Sequence, residues 1–347
     1  MFNKGKLFVH IGSNDIRLLV GNKRKITFAE SIGTVESNLS NYTIFNVKDV
    51  ANKIKGVLNI NDIKAKKIAF AIDGQDIVVR HIETPIMKKD GLENAVKWEI
   101  NQQLPKVREN YYVDFQIIEK ITTKGKKMYR ILVVAAPKEK IDKYVDLAKE
   151  LRLELSSIDI SANCLARAFS FSVKNHSKYE SIGIINLEKE SSSIVILDKG
   201  NLFFEREVDY GVNNIIKKLA EFKGISVKEM ELKFRKTFRF SNSDIIDEMQ
   251  NSVQTYFDNI LFSFDKIIQF YTSGRSKKNL DQIYLIGVGA DIEGLQGYIS
   301  SYFDTKVAVV NSPKDINIET ITAQNFNLKL YTNTFGLMLR KDRSWAN

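Results

Sequence analysis

The sequence predicts an α/β protein made of two lobes with a cleft between them. A pattern of three strands, a helix and a further strand begins near residue 6, and the same pattern returns near residue 181. A unit of different order, strand–helix–strand–strand, lies between the two copies. Two mixed sheets that each carry helices pack as separate layers, and ligands in such folds usually lie at the strand ends between them.

The first copy begins with short apolar runs whose length and alternation predict strands. The three predicted strands are Lys6–Ile11, Asp15–Val20 and Lys25–Ser31, and glycine and asparagine mark the turns between them. From about Val47 the apolar residues recur at intervals of three and four, which predicts a helix. The strand Ile68–Ile72 completes the first copy.

The second copy repeats this order and adds a long helix. Its predicted elements are three strands, a helix, a long helix and a last strand. In chain order they are Ser181–Leu187, Ser192–Leu197, Leu202–Val208, a helix from about Gly211, Asp244–Thr272 and Gln282–Ile286.

The unit between the copies reads as a small inserted subdomain. Its predicted elements, in the order strand, helix, strand, strand, are Ile77–Glu83, Gly91–Leu104, Tyr111–Ile121 and Met128–Ala135. Trp98 lies off the apolar stripe of the helix, so its ring packs against a neighbouring lobe, binds a partner or is exposed.

We therefore expect three parts. The first lobe is residues 1–73, completed by about 151–180 and 325–347, and the inserted subdomain is 74–150. The second lobe is 181–324, with one half at about 181–220 and 280–324 and the other at about 221–279.

Composition excludes several classes of protein. The 347 residues carry a formal net charge of +10, but the basic residues are dispersed, which argues against a nucleic-acid module. The single cysteine, Cys164, sits in an apolar helical pattern, so no internal disulfide or zinc framework is expected. No apolar run reaches the length of a membrane span, and we expect a cytoplasmic protein without a signal peptide.

Four stretches, in order along the chain, carry a resemblance to a known family. They are LENAVKWEINQQLPKVRENYYVDFQII at Leu92–Ile118, ILVVAAPKEKIDKYVDLAKELRLELSSIDISANCLARAF at Ile131–Phe169, DYGVNNIIKKLAEFKGIS at Asp209–Ser226 and TFGLMLR at Thr334–Arg340. Together they resemble the PilM family of type IV pilus assembly proteins, members of the actin-like superfamily that includes FtsA and MreB. The resemblance implies an actin-like two-lobed α/β fold, with duplicated mixed sheets and a small inserted α/β subdomain.

Proteins of this superfamily hold ATP and magnesium between two strand-turn-strand loops, and the first loop is altered here. Gly12, Ser13, Asn14 and Arg17 match the positions that would contact phosphate. The aspartate of the family is replaced by His10, and a neutral imidazole is a poor magnesium ligand. We expect this imidazole to have a structural role.

The second loop and the adenosine loop depart further. Glu188 stands where the family has glycine, and Asn186 where it has aspartate. If any nucleotide binds, the resemblance assigns the remaining contacts to Asn186, Ser191, Ser192, Gly211, Gly287 and Gly289. Without the magnesium carboxylates, phosphoryl transfer loses its main electrostatic support. The expectation is weak ATP binding or none, no metal site and no catalytic residue; Asp73, before Gly74, reads as a turn residue.

The resemblance also implies a partner. PilM-like proteins bind the N-terminal cytoplasmic tail of PilN between the first lobe and the inserted subdomain, and connect through the PilN/PilO inner-membrane complex to the pilus assembly ATPase. We expect the groove to be formed by Trp98, Gln102, Leu104, Pro105 and Tyr112, with Arg17 on the opposite wall. Tyr111, Val113 and Phe115 alternate with Tyr112 and Asp114, so the two sets should lie on opposite faces of one strand.

Two other functions stay open at this point. The first is an active actin-like ATPase whose nucleotide state drives pilus assembly. The second is an FtsA-like division protein, which the short polar C-terminus RKDRSWAN disfavours because FtsA is expected to end in an amphipathic membrane helix. The favoured hypothesis is a cytoplasmic adaptor held at the inner face of the plasma membrane by its partner.

Overall fold

The computed structural model describes residues 5–13, 15–22, 24–33, 39–40, 42–103, 110–175, 179–240, 248–273, 275–276, 279–316, 318–321, 323 and 326–341. Within them, two mixed sheets with helices form the two lobes, and a small sheet with one helix is inserted between sequence halves of the first lobe. The predicted α/β fold class is confirmed.

The first lobe begins with an antiparallel run of strands and returns through a helix. Its elements are β1 (Lys6–Ile11), β2 (Asp15–Asn22), β3 (Lys25–Gly33), β4 (Leu39–Ser40), β5 (Thr43–Ile44), α1 (Val47–Ile60) and β6 (Lys67–Ile72). Helix α1 starts at Val47 because the side chain of Asn46 caps it, accepting a hydrogen bond from the backbone N–H of Asp49 at 3.2 Å.

The inserted subdomain is a three-stranded antiparallel sheet covered on one face by a helix. Its elements are β7 (Val78–Pro85), α2 (Lys89–Gln103), β8 (Tyr111–Thr123) and β9 (Lys126–Pro137). The strand order is β7-β9-β8, which leaves β8 at an edge. Leu92, Val96 and Ile100 of α2 pack on Ile131 and Val133 of β9, as the predicted stripe requires.

After the inserted subdomain the chain completes the first lobe. The next elements are α3 (Lys138–Glu150), β10 (Glu154–Ile160) and α4 (Ser161–Asn175). The sheet then has the order β10-β6-β1-β2-β3, in which β1 runs parallel to β6 and β6 parallel to β10. Strand β1 is buried almost throughout, which explains its nearly continuous apolar sequence.

The second lobe repeats this design. Its elements are β11 (Ser181–Leu187), β12 (Ser192–Asp198), β13 (Asn201–Val208), α5 (Val212–Lys223), α6 (Val227–Thr237), α7 (Glu248–Thr272), β14 (Gln282–Ile286), α8 (Leu295–Phe303) and β15 (Val307–Val309). The sheet order is β13-β12-β11-β14-β15. The predicted start of α7 at Asp244 lies outside the described residues.

The chain ends in the first lobe. Strand β16 (Thr320–Ile321) joins the edge of the first-lobe sheet beside β3, and α9 (Thr332–Met338) packs against α4. Helix α3 packs on α1 and β10 of the first lobe and also contacts β8 and β9, and the short segment Pro313–Ile316 packs on α4.

Among the described residues, we find no helix with both the length and the apolar character needed to cross a bilayer.

Candidate functional site

Two hairpins, one from each copy of the repeated pattern, face each other in the cleft between the lobes. The turn between β1 and β2 is closed by a 2.9 Å hydrogen bond from the Gly12 N–H to the Asp15 carbonyl. The turn between β11 and β12 is closed in the same way, from the Glu188 N–H to the Ser191 carbonyl at 3.0 Å. These are the loops that would hold phosphates in an actin-like ATPase.

An ion pair spans the cleft between these loops. The guanidinium of Arg17 donates two hydrogen bonds to the carboxylate of Glu188, at 2.7 and 2.5 Å, and a third to Asp15 at 3.0 Å. A fourth reaches the carbonyl of Leu330 at 2.9 Å. Arg17 is only 2 % exposed, so this pair is almost entirely withdrawn from water. Burial raises the pKa of Asp15, but the charges of Arg17 and His10 and the hydrogen bond from Arg17 together outweigh it, so that pKa lies below its ordinary value.

His10 has a partner that the sequence did not indicate. Its Nε2 lies 2.5 Å from a carboxylate oxygen of Asp73, because β1 and β6 are parallel neighbours that end at the same edge. Burial raises the pKa of Asp73, but the charge and hydrogen bond of His10, with Ser161 and Lys140, together bring it below the ordinary value. The expectation that Asp73 is a simple turn residue is therefore wrong. The ammonium of Lys140 donates to the Asp73 carbonyl at 2.9 Å and fixes the same corner.

A second contact between the lobes involves Tyr42. The Tyr42 hydroxyl donates to Glu207 and lies beside the Ser191 hydroxyl, each at 2.5 Å. Glu205 on the same strand also faces this space. Burial, and then the negative charge of Asp73, raise the pKa of Glu205 to about 8 and that of Glu207 to about 7. The cleft thus holds carboxyl groups that resist ionisation near neutral pH.

The cleft has too little space for a nucleotide in this conformation. Its cavity measures about 20 Å³, whereas small-molecule pockets are usually about 300–1,000 Å³. Glu188 and Arg17 occupy the place between the two hairpins where phosphate would lie. Among the residues that the structure describes, no group of three or more His, Cys, Asp or Glu side chains is placed to hold a metal ion.

The predicted nucleotide residues divide into two sets. The first set lines the small cavity and consists of Gly12, Ser13, Arg17, Asn186 and Ser191. Asn14 lies outside the described residues, so nothing is assigned to it.

The second set packs into the second lobe. The Ser192 hydroxyl donates to the Tyr210 carbonyl at 2.5 Å. A Cβ on Gly211 would stand 2.3 Å from the Lys189 carbonyl oxygen, and one on Gly287 would stand 2.4 Å from that of Leu187. One on Gly289 would stand 2.6 Å from a side-chain carbon of Leu187. These glycines allow loops to approach the β11–β12 hairpin, a structural requirement independent of any ligand.

A much larger space lies elsewhere, between the inserted subdomain and the two lobes. This groove has a volume of about 890 Å³. One wall is the face of β8 and β9 opposite to α2, with Tyr112 and Val134 among its residues. The facing wall comes from β10 and α4, and the turn before β13 at Gly200–Leu202 closes one side. The groove is therefore bounded by an edge strand on one wall and by the first lobe on the other.

The floor of the groove carries an ionic cluster that the sequence reasoning missed. The buried carboxylate of Asp159 accepts hydrogen bonds from Arg167 at 2.8 Å and from Arg340 at 2.6 Å. Arg24 and Lys341 also line the groove, so its polar part is mainly basic. Asp159 and Arg167 occur in a stretch that carries the resemblance, but only the packing of α9 on α4 brings Arg340 to them.

The predicted partner residues are not brought together. Tyr112 lines the groove, and Tyr111, Val113 and Phe115 pack against the core under α2, with Val113 and Phe115 also bordering the groove. Trp98 and Gln102 do not line the groove, because α2 covers the outer face of the sheet; the Trp98 side chain is 65 % exposed there.

The three remaining predicted partner residues are Arg17, Leu104 and Pro105. Arg17 lies in the interlobe cleft and not on a groove wall, since all its hydrogen bonds go to Asp15, Glu188 and Leu330. Leu104 and Pro105 lie outside the described residues.

Comparisons with known proteins agree with this architecture. Solved structures similar to this chain include a chain of a PilM-PilN type IV pilus biogenesis complex, with a TM-score of 0.81, 16 % identity and coverage of 96 % of this chain and 98 % of that chain. MreB5 of Spiroplasma citri bound to ADP has a TM-score of 0.57 at 11 % identity, covering 96 % and 95 %. The ethanolamine utilization protein EutJ from Carboxydothermus hydrogenoformans has a TM-score of 0.54 at 12 % identity, covering 96 % and 89 %. These likenesses show an actin-like fold.

The sequence itself gives the family. A family model described as type IV pilus assembly protein PilM matches residues 9–342. Because this match covers nearly the whole sequence, the chain belongs to the PilM family of type IV pilus assembly proteins.

Proposed function

We propose that this protein is an adaptor of the type IV pilus assembly platform that binds the N-terminal cytoplasmic tail of PilN in the groove beside β8. The observation that carries the proposal is the contrast between the two spaces. The groove offers about 890 Å³, while the cleft expected to hold nucleotide offers about 20 Å³ and is crossed by an ion pair. A similar fold was solved as a PilM-PilN complex.

The groove has the properties that an extended peptide requires. Strand β8 is at the edge of its sheet, and an edge strand presents backbone N–H and C=O groups to which a further strand can add. Ile118, Leu132 and Ile158 supply apolar surface on the walls. Each large apolar side chain buried there contributes roughly 1.5–3 kcal/mol to binding. A short, mostly apolar tail in extended form would pair with the backbone of β8 and bury its side chains against the walls of the groove.

The basic side chains on the floor of the groove favour a tail that carries a hydrogen-bond acceptor. Arg167 and Arg340 share one carboxylate, Asp159, and their side chains are 25 % and 22 % exposed. Guanidinium groups keep donors available for peptide carbonyl or carboxylate oxygens. We therefore expect the tail to place an oxygen acceptor over this pair while its apolar side chains occupy the walls.

This role gives the protein its place in the cell. Through PilN, the proposal places it at the inner face of the plasma membrane as a peripheral cytoplasmic protein. The same partner links it to PilO and to the pilus assembly ATPase. The interlobe cleft is, in this proposal, a degenerate nucleotide site that binds ATP weakly or not at all.

An active ATPase is the competing function. Gly12 and Ser13 still line the cleft in the positions of a phosphate loop. Titration calorimetry with ATP, with and without magnesium, separates the two functions, because an ATPase requires tight magnesium-dependent binding.

The adaptor function is tested by peptide binding with a matched pair of variants on β8. Ile118 lines the groove, whereas its neighbour Ile117 does not and is 41 % exposed. We expect Ile118→Asp and Tyr112→Ala to weaken binding of a synthetic PilN N-terminal peptide at least about tenfold. We expect Ile117→Asp and Trp98→Ala to bind as wild type does. Equal affinity of all four variants, with folding verified by circular dichroism, excludes this groove.

A further inference from the structure

Two short segments join the inserted subdomain to the first lobe. The chain enters the subdomain through residues 73–77, between β6 and β7, and leaves it at Pro137, where β9 ends and α3 begins. We call residues 73–77 the entry linker. The two segments lie side by side, because the ammonium of Lys140, in the first turn of α3, contacts the entry linker.

Lys140 holds the entry linker at two points. Its ammonium donates hydrogen bonds to the carbonyl of Asp73 at 2.9 Å and to the carboxylate of Asp76 at 2.6 Å. The Lys140 side chain is only 3 % exposed, whereas that of Asp76 is 44 % exposed. A lysine is almost never fully buried unless it is paired, and a cation gains nothing from the positive end of a helix. The entry linker therefore accounts for the position of this lysine. We call this pair of contacts the Lys140 pin.

Gly74 lets the entry linker pass close to the ammonium. Its φ is +140°, a backbone conformation that other residues rarely adopt. A Cβ at this position would also collide with the Lys140 ammonium and the Asp76 carboxylate. The Ile77 N–H donates to the Gly74 carbonyl at 3.1 Å and closes a tight turn. The path of the entry linker is thus fixed by its own turn and by the Lys140 pin.

The Lys140 pin borders the groove. Ile72 directly precedes the entry linker, Ala136 precedes Pro137, and Ile141 follows Lys140; all three of these apolar residues line the groove. One wall of the groove belongs to the inserted subdomain and the other to the first lobe. The groove therefore extends to the place where the chain crosses from one wall to the other, and the angle between the walls is set there.

Two other contacts between the inserted subdomain and the lobes are less suited to fixing this angle. The Tyr112 hydroxyl donates to Asp142 at 3.1 Å, but Tyr112 is 48 % exposed, so water competes for this bond. The His81 ring stacks on Phe203 with the centroids 6.0 Å apart, and such a contact has no fixed hydrogen-bond geometry. The charged hydrogen bonds of buried Lys140 are stronger and more directional.

We propose that Lys140 is a positioning residue for the groove. By joining the carbonyl of Asp73 to the carboxylate of Asp76, it sets the angle between the inserted subdomain and the first lobe, and thus the width of the groove. This inference rests on the proposed binding of the PilN tail there. A groove already held at its bound width binds more tightly, because binding does not have to select that width from several.

Peptide binding by matched variants tests the positioning role. Asp76→Ala breaks the pin at its exposed end and leaves the lysine in place, so this variant should fold. Lys140→Met removes the ammonium and keeps a side chain of similar length. If the groove then has its bound width about a tenth of the time, the Kd for a synthetic PilN N-terminal peptide should rise about tenfold. The control is Asp146→Ala, which makes the same charge change as Asp76→Ala and breaks an exposed pair with Lys149 on α3. The control should bind as wild type does, with folding of all variants verified by circular dichroism.

A distance measurement separates a changed angle from a loss of stability. Spin labels on Lys97→Cys of α2 and Lys66→Cys before β6, both exposed positions, report the angle by double electron–electron resonance. The native Cys164 is buried, so labelling leaves it unmodified. We expect a narrow distance distribution in wild type and in the control, and a broader one in both pin variants.

Either of two results would overturn the proposal: unchanged distances in both pin variants, or wild-type peptide affinity in both. A wild type that binds no peptide would refute the proposed function alone, since the distances test the Lys140 pin without peptide.

Discussion

Arg17 of the first lobe and Glu188 of the second form a two-point ion pair, with hydrogen bonds of 2.7 and 2.5 Å, at the place where an actin-like ATPase would hold phosphate. The two residues are 171 positions apart in the chain. The pair joins the two lobes through charges of the protein itself.

The first prediction concerns the stability that this pair provides. Removing Glu188 leaves the buried guanidinium of Arg17 only partly compensated, by Asp15, so Glu188→Ala should lower the free energy of unfolding by up to about 3–5 kcal/mol. Urea denaturation followed by circular dichroism measures it. As a control, Glu154→Ala breaks the exposed pair of Glu154 with Lys67, at 2.8 Å, and should cost less than about 1 kcal/mol. Equal losses would show that the cleft pair has no special role.

The second prediction concerns nucleotide. Wild-type protein should show no magnesium-dependent ATP binding of micromolar or tighter affinity, because Glu188 places a negative charge where phosphate would lie. Replacing three residues together, His10→Asp, Asn186→Asp and Glu188→Gly, removes that charge, frees Arg17 and supplies magnesium carboxylates. This variant should bind ATP more tightly than wild type does in titration calorimetry. Micromolar binding by the wild type would contradict the prediction.

The third prediction concerns pH. The pKa of Glu205 is raised from 4.5 to about 8 and that of Glu207 to about 7. At a pH between the pKa of a group in the unfolded state and its pKa in the folded state, the native protein binds more protons than the unfolded chain. The free energy of unfolding therefore falls as pH rises through this range. The urea midpoint should therefore fall between about pH 5 and pH 8. Glu205→Gln with Glu207→Gln should flatten this fall; an unchanged slope would rule out these two groups as its source.

The fourth prediction concerns the contact between α9 and α4. A Cβ on Gly336 would stand 1.9 Å from the carbonyl oxygen of Cys164, and backbone cannot move aside cheaply. Gly336→Ala should therefore lower the free energy of unfolding by more than about 3 kcal/mol or prevent folding. Gly297 in α8 is the matched control, since a Cβ there meets nothing within 4 Å. Gly297→Ala should stabilise by about 0.5–1 kcal/mol, as measured by thermal unfolding.

The fold followed largely from local patterns in the sequence. Strands β1, β6 and β11 appear where apolar runs predicted them, and Tyr112 lies on the face opposite to Tyr111 because side chains alternate along a strand. Such patterns are set by neighbouring residues, so they can be recognised without knowing the tertiary structure. Nothing local indicates whether the apolar face of α3 packs on the inserted sheet or on the first lobe.

The amino-acid sequence by itself determined the duplicated pattern, the inserted subdomain, the family and the replaced residues at the nucleotide loops. Only the tertiary structure decided what those replacements do. His10 and Asp73 are 63 positions apart, and they meet because parallel β1 and β6 end side by side. Trp98 was expected in the groove, but α2 lies on the outer face of its sheet. Ion pairs between the lobes, and the face of a sheet that a helix covers, depend on how distant segments pack. Hydrophobic periodicity indicates only that one side of a helix or strand is buried. It does not indicate which element that side packs against.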